Sequence, residues 1–379
     1  GVGLTLAYDV ADDITLKSIS STRAYKRHDP WSLGPPDIRA NVGTVAAPRI
    51  VAFEGAYALD PRGQAQRQYT QELQILGKWR EVSYVAGLFY LKEGAWDSSR
   101  TRLPSIAATG LTAIDFAENR SYSVDSSSKA AFVQMDWRPG FLDNKLELSG
   151  GVRWTRDTRD FIQTAPLVRS AKLKTDNTSY LVSANYQWTS NAMTFVRYST
   201  AYRAGGFNVR AAATGSPVYQ PEKLKSLEGG FKLDLLRNRL RLNGAAYFNK
   251  YNDLQVSEFS APTAASGGGN VSVNANAEYK GFELELQANP VAGMLVTASV
   301  GYVDRKYKDY PRNLEAGLVM PGCLPILGAS GAAIGQNCAA ITKFAFSPST
   351  TADLAVSYSL PASDYGQWLV SASYSYKSK

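Results

Sequence analysis

Three features of the sequence predict an all-β protein, an antiparallel transmembrane β-barrel of about fourteen strands. Apolar and polar residues alternate with a period of two along the chain. Each alternating segment is about ten residues long, the length with which a tilted strand crosses a bilayer. The connections between segments are alternately short and long, which is typical of barrels with tight periplasmic turns and long extracellular loops.

The alternation is clearest in three segments, 145–157, 239–251 and 279–288. Their apolar positions are Leu146, Leu148, Val152 and Trp154, then Leu240, Leu242, Ala246 and Phe248, then Phe282, Leu284 and Leu286. Charged and amide side chains lie between these positions, so one face of each strand suits lipid and the other suits water.

The connections separate a barrel from a soluble β-sandwich, which also alternates but has no reason to gather its long loops at one end. Short connections are predicted at 10–13, 77–81, 139–144, 189–191, 235–238, 289–293 and 360–366. Long ones are predicted at 26–67, 94–127, 158–177, 203–222, 253–275 and 308–345.

Aromatic residues gather near the segment ends, where we expect interfacial girdles, with ordinary strand-forming aromatics as the alternative. They include Trp154, Tyr198, Tyr202, Tyr247, Phe248, Tyr251, Tyr302, Tyr307 and Tyr310.

Composition excludes several function classes. The 379 residues carry a formal charge of +8, but the cations are scattered singly and no basic run indicates nucleic-acid binding. No run of 18 apolar residues occurs, so a helical membrane span is not expected. With one His and two Cys, the chain has little material for a Cys/His metal site or a His-dependent catalytic triad. We therefore expect no enzyme activity, no cofactor and no metal site.

The ends of the chain indicate a piece of a longer protein. The start at Gly1 carries no secretion signal, and the segment up to Lys379 stops inside a strand pattern. The order of short and long connections places both ends at the outer surface. Since a complete barrel has both termini in the periplasm, we expect an odd number of strands to be missing at each end.

Several motifs together resemble the barrel of TonB-dependent receptors. The segment Tyr202–Asn208 reads YRAGGFN, Gln220-Pro221-Glu222 follows, and the next strand contains LEGGFK at 227–232. Further matches are QEL at 71–73, GLFY at 87–90, GVRWTRD at 151–157 and NAEYKGFE at 276–283. The resemblance covers residues 1–379. It implies a barrel of about 22 strands in an outer membrane, with the plug domain, the TonB box and the terminal strands outside this chain.

The resemblance also implies a function and partners. Such a receptor sits among outer-membrane lipid and lipopolysaccharide of a Gram-negative bacterium. It imports a scarce ligand, with a ferric siderophore favoured, when the TonB–ExbB–ExbD system pulls on the plug. The alternatives are a passive porin-like channel, TonB-dependent import of a carbohydrate or other nutrient and, more distantly, a soluble adhesive β-protein.

Ligand contacts in this family lie in the external loops, so the resemblance points to aromatic and basic residues there. The main candidates are Arg203, Phe207, Asn208 and Arg210, with Trp31, Arg39, Trp96, Arg100, Arg169 and Tyr219 as weaker ones. Aromatic rings with arginines suit anionic or catecholate chelates as well as sugars. The alternative for at least half of them is packing or solvent contact.

Two further sets of residues are predicted from the sequence itself. Polar residues expected to face the lumen are Glu72, Glu147, Arg153, Arg241, Glu283 and Glu285. Glu283 and Glu285 share a face, as an acid/base pair would, but a polar lumen wall explains them better. Cys323 and Cys338 lie in a Gly/Ala-rich external loop, where oxidation favours a disulfide over free thiols or a metal site.

Overall fold

The computed structural model describes residues 1–28, 37–41, 50–54, 57–58, 63–102, 118–209, 217–260, 269–312, 319–344, 347–362, 364 and 366–378. Within this part of the chain, no helix is long and apolar enough to cross a membrane. The main structural element is one antiparallel sheet of fourteen long strands, which are neighbours in the order of the chain. This confirms the predicted all-β architecture and strand number.

The long strands are β1 (Val2–Ala11), β2 (Ile14–Arg27), β3 (Gly63–Trp79), β4 (Val82–Arg102), β5 (Glu118–Trp137), β6 (Leu146–Ala165), β7 (Arg169–Thr189), β8 (Ala192–Arg203), β9 (Glu222–Leu235), β10 (Leu240–Ser260), β11 (Gly269–Ala288), β12 (Met294–Asp309), β13 (Thr350–Ser359) and β14 (Leu369–Lys377). Short strands in the connections are Asp37–Asn41, Ile50–Glu54, Tyr57–Ala58, Gly206–Phe207, Val218–Tyr219, Pro311–Arg312, Leu324–Leu327 and Ala333–Asn337. A single 3₁₀ turn, Gly140–Leu142, joins β5 to β6.

The register gives the sheet one apolar and one polar face, because residues directly opposite each other on neighbouring strands share a face. On β10 the apolar positions run from Leu240 to Phe248, and they pair with Ala288 through Lys280 on β11. A strand of about nine to eleven residues is what crosses a tilted barrel wall. The period-two pattern therefore becomes a continuous apolar band across the sheet.

Tight turns join the strands at one end of the sheet, which we call the turn end. Asp143, Asn144, Arg237 and Asn238 all have positive φ, a conformation that Asn and Asp tolerate better than most residues. Gly293 has φ 79°, and a Cβ there would collide with the Ser359 carbonyl oxygen. The turn residues indicated by the sequence thus lie where the chain needs left-handed backbone.

The opposite end, which we call the loop end, differs from the sequence prediction. The expected long loop 158–177 is mostly strand, since β6 and β7 pair as far as Gln163 and Arg169. Likewise, β10 and β11 pair as far as Ser260 and Gly269, within the predicted loop 253–275. These extensions carry polar residues on both faces, so the alternation that marks a membrane strand fades while the hydrogen-bonded ladder continues.

The aromatic residues also divide differently from the single set of girdles that was predicted. Trp154, Tyr198, Phe248 and Tyr302 lie on the apolar face and fit an interfacial girdle. Tyr247, Tyr251 and Tyr307 lie on the polar face instead. The girdle interpretation is wrong for these three because their strand positions have the opposite parity.

Two adjacent residues on β12 test the assignment of the faces. Val300 lies on the apolar face, opposite Leu284, and Ser299 lies on the polar face, opposite Glu285. We expect Val300→Arg to lower the free energy of unfolding by about 2–4 kcal/mol in lipid vesicles, because an arginine near the bilayer midplane faces lipid. Ser299→Arg, the matched control, should change it by less than about 1 kcal/mol. Urea unfolding of the full-length protein measures both, and equal losses would contradict the assignment.

Candidate ligand-binding face

The polar face at the loop end is the candidate functional site, because two connections fold back onto it. One is the connection 204–221 between β8 and β9, of which residues 204–209 and 217–221 are described, and the other is the connection 310–349 between β12 and β13, of which residues 310–312, 319–344 and 347–349 are described. Both contact strand extensions of other hairpins. At the loop end, the two connections are therefore held by contacts with other hairpins and do not extend as independent loops.

The first connection packs on the β6–β7 hairpin through an aromatic stack. The rings of Phe161 and Phe207 are 4.7 Å apart and nearly parallel, and Phe161 is 1% exposed. Gln163, fully buried, donates to the Val209 carbonyl oxygen at 3.0 Å. Arg159 donates to the Gly205 carbonyl oxygen at 2.6 Å. The β6–β7 extension thus holds one side of the 204–221 segment.

Hydrogen bonds from the same segment reach the β10–β11 hairpin on its other side. The Asn208 amide donates to the Ser272 carbonyl oxygen and accepts from the Ser272 backbone N–H, both at 2.8 Å. The Asn274 side chain makes the same double contact with the Gln220 backbone, at 2.7 and 3.0 Å. Both asparagines hydrogen-bond to main-chain groups across these contacts, so the 204–221 segment bridges two hairpins.

The two glycines of the YRAGGFN motif have a steric role. Gly205 and Gly206 are both buried beside Tyr219. A Cβ at Gly205 would lie 2.8 Å from Leu173 Cδ2 and would also collide with the Tyr219 carbonyl oxygen. A Cβ at Gly206 would collide with the Tyr219 ring. The close approach of this segment to β7 and to its own hairpin therefore needs glycine at both positions.

A disulfide joins Cys323 and Cys338 in the second connection, 15 residues apart. The cysteines pack with Tyr310 and Ala275, which are 4% and 1% exposed. Burial raises the pKa of Tyr310, and the hydrogen bond and charge of Glu258 raise it further. The tyrosine therefore stays a neutral donor at the base of this connection.

An ion pair fixes the same connection to β10. Arg312 Nε lies 3.0 Å from Glu258 Oε1, and both side chains are mostly buried. Asn337 and Gln336 bond to the main chain at Tyr310 and Met320. The second connection is thus a small cross-linked sheet that rests on the β10–β11 extension.

An aromatic cluster lies on the polar face where the second connection meets the strands. Phe344 stacks on Tyr307 at 4.0 Å and meets Tyr279 edge-on at 5.3 Å. Tyr251 contacts Tyr279 at 4.9 Å, and the Arg305 guanidinium lies 5.6 Å from the Phe344 ring. All five side chains are only partly buried. The cluster therefore places aromatic rings and a cation together on the polar face of the sheet.

One further group near this cluster lacks a partner. Asn249 lies directly opposite Tyr279 in the register. Its Oδ1 is the one buried side-chain nitrogen or oxygen in the described part of the chain that forms no hydrogen bond. A buried acceptor of this kind normally finds a donor, so the polar face here suits a partner with N–H or O–H groups.

The register places the six residues predicted to face the lumen together on the polar face. The pairing from β3 to β7 puts Glu72, Glu147 and Arg153 on this face. The pairing of β10 with β11 puts Arg241, Glu283 and Glu285 there. Glu147 accepts from Arg138, and Arg241 donates to Asp234 at 2.7 Å. Arg153 lies 5.3 Å from the rings of both Phe89 and Phe132. Glu283 and Glu285 are exposed, as residues of a polar wall would be.

The predicted ligand contacts divide into three groups. Phe207, Asn208 and the weaker candidate Arg169 hold the 204–221 segment, and Tyr219 covers Gly206. Arg203 is exposed at the end of β8, opposite Glu222 in the register. Trp96 shares the apolar face with Leu88, away from the candidate site. Trp31 and Arg210, with the side chains of Arg39 and Arg100, lie outside the described residues.

Sequence reasoning did not select Tyr279, Phe344, Arg305 or Asn249 as site residues. The alternation could have indicated Tyr279 and Arg305, because both lie on the same face as Glu283 and as Gly301, the residue opposite Glu283. Phe344 carried no local signal because it lies in an irregular connection. Within the described residues, no group of three or more His, Cys, Asp or Glu side chains could hold a metal ion.

Comparison with known proteins agrees with this geometry. The family model described as TonB dependent receptor-like, beta-barrel, matches residues 1–379. The Probable TonB-dependent siderophore receptor PiuA of Acinetobacter baumannii is 22% identical over 350 residues, which cover 83% of this chain and 45% of that protein. The chain therefore spans about half the length of the curated relative it matches.

Solved structures share the fold at low sequence identity. The ferric yersiniabactin uptake receptor FyuA from Yersinia pestis has a TM-score of 0.62 at 16% identity, over 97% of this chain and 48% of that one. The copper transporter OprC has a TM-score of 0.61 at 14% identity, over 98% of this chain and 51% of that one. The sheet is that of a receptor-type β-barrel, and the chain belongs to the TonB-dependent receptor β-barrel family.

Replacing Phe207 tests the attachment of the 204–221 segment. Phe207→Ala removes the stack on Phe161, which contributes about 1.5 kcal/mol or more from ring contact and apolar burial. We expect the segment to open about tenfold more often, measured as the rate of limited proteolysis in 204–221. Arg203→Ala, an exposed neighbour, is the control and should leave that rate unchanged. Equal rates in both variants would show that the stack does not hold the segment.

Removing the disulfide tests the second connection. Paired Cys323→Ser and Cys338→Ser substitutions remove a cross-link that, in the chain-entropy model, stabilises the folded state by about 3 kcal/mol. We expect faster proteolysis within 319–344 and unchanged cleavage of the 204–221 segment, because each connection has its own contacts. Peptide mapping of the cleaved full-length protein measures both. Simultaneous loosening of the two segments would indicate that they form one unit.

Proposed function

We propose that this chain is the central part of the barrel of an outer-membrane TonB-dependent receptor that imports a ferric siderophore in a Gram-negative bacterium. The observation that carries the proposal is the aromatic cluster of Tyr251, Tyr279, Tyr307 and Phe344 with Arg305 on the polar face. Family membership and the names of PiuA and FyuA, siderophore and ferric yersiniabactin receptors, support it.

The chemistry of the cluster favours an iron chelate over a bare metal ion. Ring faces stack on flat aromatic groups and a guanidinium binds anionic groups, and catecholate-type ferric chelates present both on their surface. Copper instead prefers thiolate, thioether and imidazole ligands. The chain has only four Met and one His, and both cysteines are in the disulfide. This composition supports a chelate rather than the copper named for OprC.

The rest of the transport machinery belongs to the proposal as well. A plug domain, the terminal strands and contact with TonB–ExbB–ExbD would come from the remainder of the protein, since the relatives are about twice as long. The polar face, with Glu283, Glu285 and Arg241, would line the space that holds the plug. The predicted lumen-facing residues, and Arg203 and Tyr219 as ligand contacts, remain part of this proposal.

Iron uptake by the full-length protein tests the function. We expect a deletion strain to lose uptake of radioactive iron from a tris-catecholate chelate, and a strain lacking TonB to lose it equally. A passive channel would retain uptake without TonB. Uptake that is unchanged in the deletion strain would overturn the proposal, provided no second receptor for the same chelate is present.

A pair of variants locates the ligand on the polar face. Tyr279→Ala together with Arg305→Ala should raise the half-saturating chelate concentration about 10- to 100-fold, because the two contacts together contribute about 1.4–2.8 kcal/mol. Trp96→Ala is the matched control, since it removes an exposed aromatic residue from the opposite face. Equal amounts of each variant in the membrane must be verified. An unchanged half-saturating concentration would place the ligand elsewhere.

A further inference from the structure

The second connection contains a long stretch without charge. Between Glu315 and Lys343 the sequence has no Asp, Glu, Lys, Arg or His, although 20% of the whole chain is charged. Apart from the two cysteines, the polar side chains of this stretch are Ser330, Gln336, Asn337 and Thr342. Exposed segments are normally rich in charged residues, so this composition requires a physical reason.

Three of the four polar side chains are used inside the connection. Gln336 and Asn337 accept from backbone N–H groups of the connection at 2.7 and 3.1 Å, and Thr342 donates to a backbone carbonyl oxygen at 2.8 Å. The fourth, Ser330, lies in the exposed turn between the two short strands. In the described residues 319–342, the exposed side chains are therefore mostly hydrocarbon.

Three large apolar side chains of this connection are exposed. Leu324, Leu327 and Ile334 are 70%, 61% and 67% exposed, and we call them the apolar hairpin surface. They belong to the paired short strands Leu324–Leu327 and Ala333–Asn337, which the disulfide cross-links at one end. Single exposed apolar residues are common, but a group of them on an uncharged hairpin indicates a binding surface.

The connection covers the polar face of the sheet. Ala275 lies on the same face of β11 as Tyr279 and packs against the disulfide. Glu258, on the same face of β10, holds Arg312 of the connection at 3.0 Å. The apolar hairpin surface is therefore on the opposite side of the sheet from the lipid-facing band, and membrane lipid does not cover it.

Contacts lead from the apolar hairpin surface to the aromatic cluster. Leu324 directly follows Cys323, and Tyr310 packs against the disulfide. The Tyr310 ring meets Tyr307 edge-on at 4.7 Å, and Tyr307 stacks on Phe344 in the cluster. The aromatic cluster and the apolar hairpin surface thus belong to one packed unit and adjoin each other.

The chemistry of these adjoining surfaces identifies the occupant. A protein partner would need a polar rim and about one hydrogen bond per 100–200 Å², which the side chains of this hairpin do not provide. An alkyl chain forms no hydrogen bonds and requires only apolar area. We propose that the ligand is an amphiphilic ferric chelate, whose head binds at the aromatic cluster while its acyl tail lies along Leu324, Leu327 and Ile334.

This inference rests on the proposed function, because the head of the ligand occupies the site proposed there. A fully buried methylene group strengthens binding about fourfold. With roughly half of an octanoyl chain buried against the hairpin, the tail should strengthen binding about 10- to 100-fold.

Iron uptake by cells that make the full-length protein tests the tail site. The probes are a ferric tris-catecholate chelate and the same chelate carrying an octanoyl chain. In the wild type, the octanoyl chelate should reach half-saturation at a concentration about 10- to 100-fold lower. In L324S/L327S/I334S this gain should fall below about threefold.

Val168→Ser is the matched control, since it removes an apolar side chain that is 87% exposed from the β6–β7 connection. This variant should retain the full gain. Partition of the octanoyl chain into the membrane is the same in all strains and cancels in the comparison. Limited proteolysis of residues 319–344 at the wild-type rate would show that the triple variant keeps the hairpin folded.

The outcomes separate this inference from the function on which it rests. Equal half-saturating concentrations for the two chelates in the wild type would overturn the tail site alone, and so would an equal gain in the wild type and the triple variant. Tyr279→Ala together with Arg305→Ala should weaken both chelates by the same factor, because it changes only the head contact. Uptake of neither chelate would overturn the inference together with the proposed function.

Photo-crosslinking locates the tail without any substitution. The probe is the octanoyl chelate with a diazirine at the end of its chain, bound to the wild-type full-length protein and mapped by peptide mass spectrometry. We expect the label within residues 319–344. Label confined to the 204–221 segment or to the apolar face of the long strands would overturn the site.

Discussion

The pairing register of the sheet is the constraint on which the rest of the structure depends. Side chains alternate between faces, so a slip of one residue between two strands would exchange lipid-facing and polar residues along the whole strand. In this protein, thirteen strand pairs keep one register through the apolar band. Val300 and Ser299 then differ in environment because of parity alone. The separation of the two faces is what allows a water-facing surface to exist inside a membrane protein.

Above the apolar band, the same ladders serve a different purpose. The β6–β7 and β10–β11 hairpins extend beyond the band and act as supports for two connections. Phe161 and Gln163 receive one side of the 204–221 segment, and Ser272 and Asn274 receive the other. The disulfide-linked connection rests on Ala275 of the same β11. The β10–β11 extension is therefore the common support of both connections, and its hairpin also carries Tyr251 and Tyr279 of the aromatic cluster.

The two faces divide the chemistry of the protein. The polar face collects rings, a guanidinium and an unpartnered amide oxygen, which suit a ligand that arrives in water. Beyond its band, the apolar face collects exposed lysines. Charges on this face cannot meet the lumen, so their partners must be sought in the membrane or on neighbouring strands. Lys280 and Lys308 form ion pairs with Asp304 and Glu278 on neighbouring strands, and Glu278 also lies directly opposite Lys250.

The sequence by itself determined the strand number, the two faces and the family, because alternation and turn residues are local signals and each strand must satisfy lipid and water separately. It also indicated the Cys323–Cys338 pair, since only one pairing was possible. Tertiary structure alone decided that Phe207 and Asn208 attach a segment, and that Phe344 joins Tyr279 and Tyr307. It also decided that 158–177 continues as strand. The physical reason is that beyond the bilayer no face must be apolar, so contacts between distant segments, which leave no periodic trace, determine the fold there.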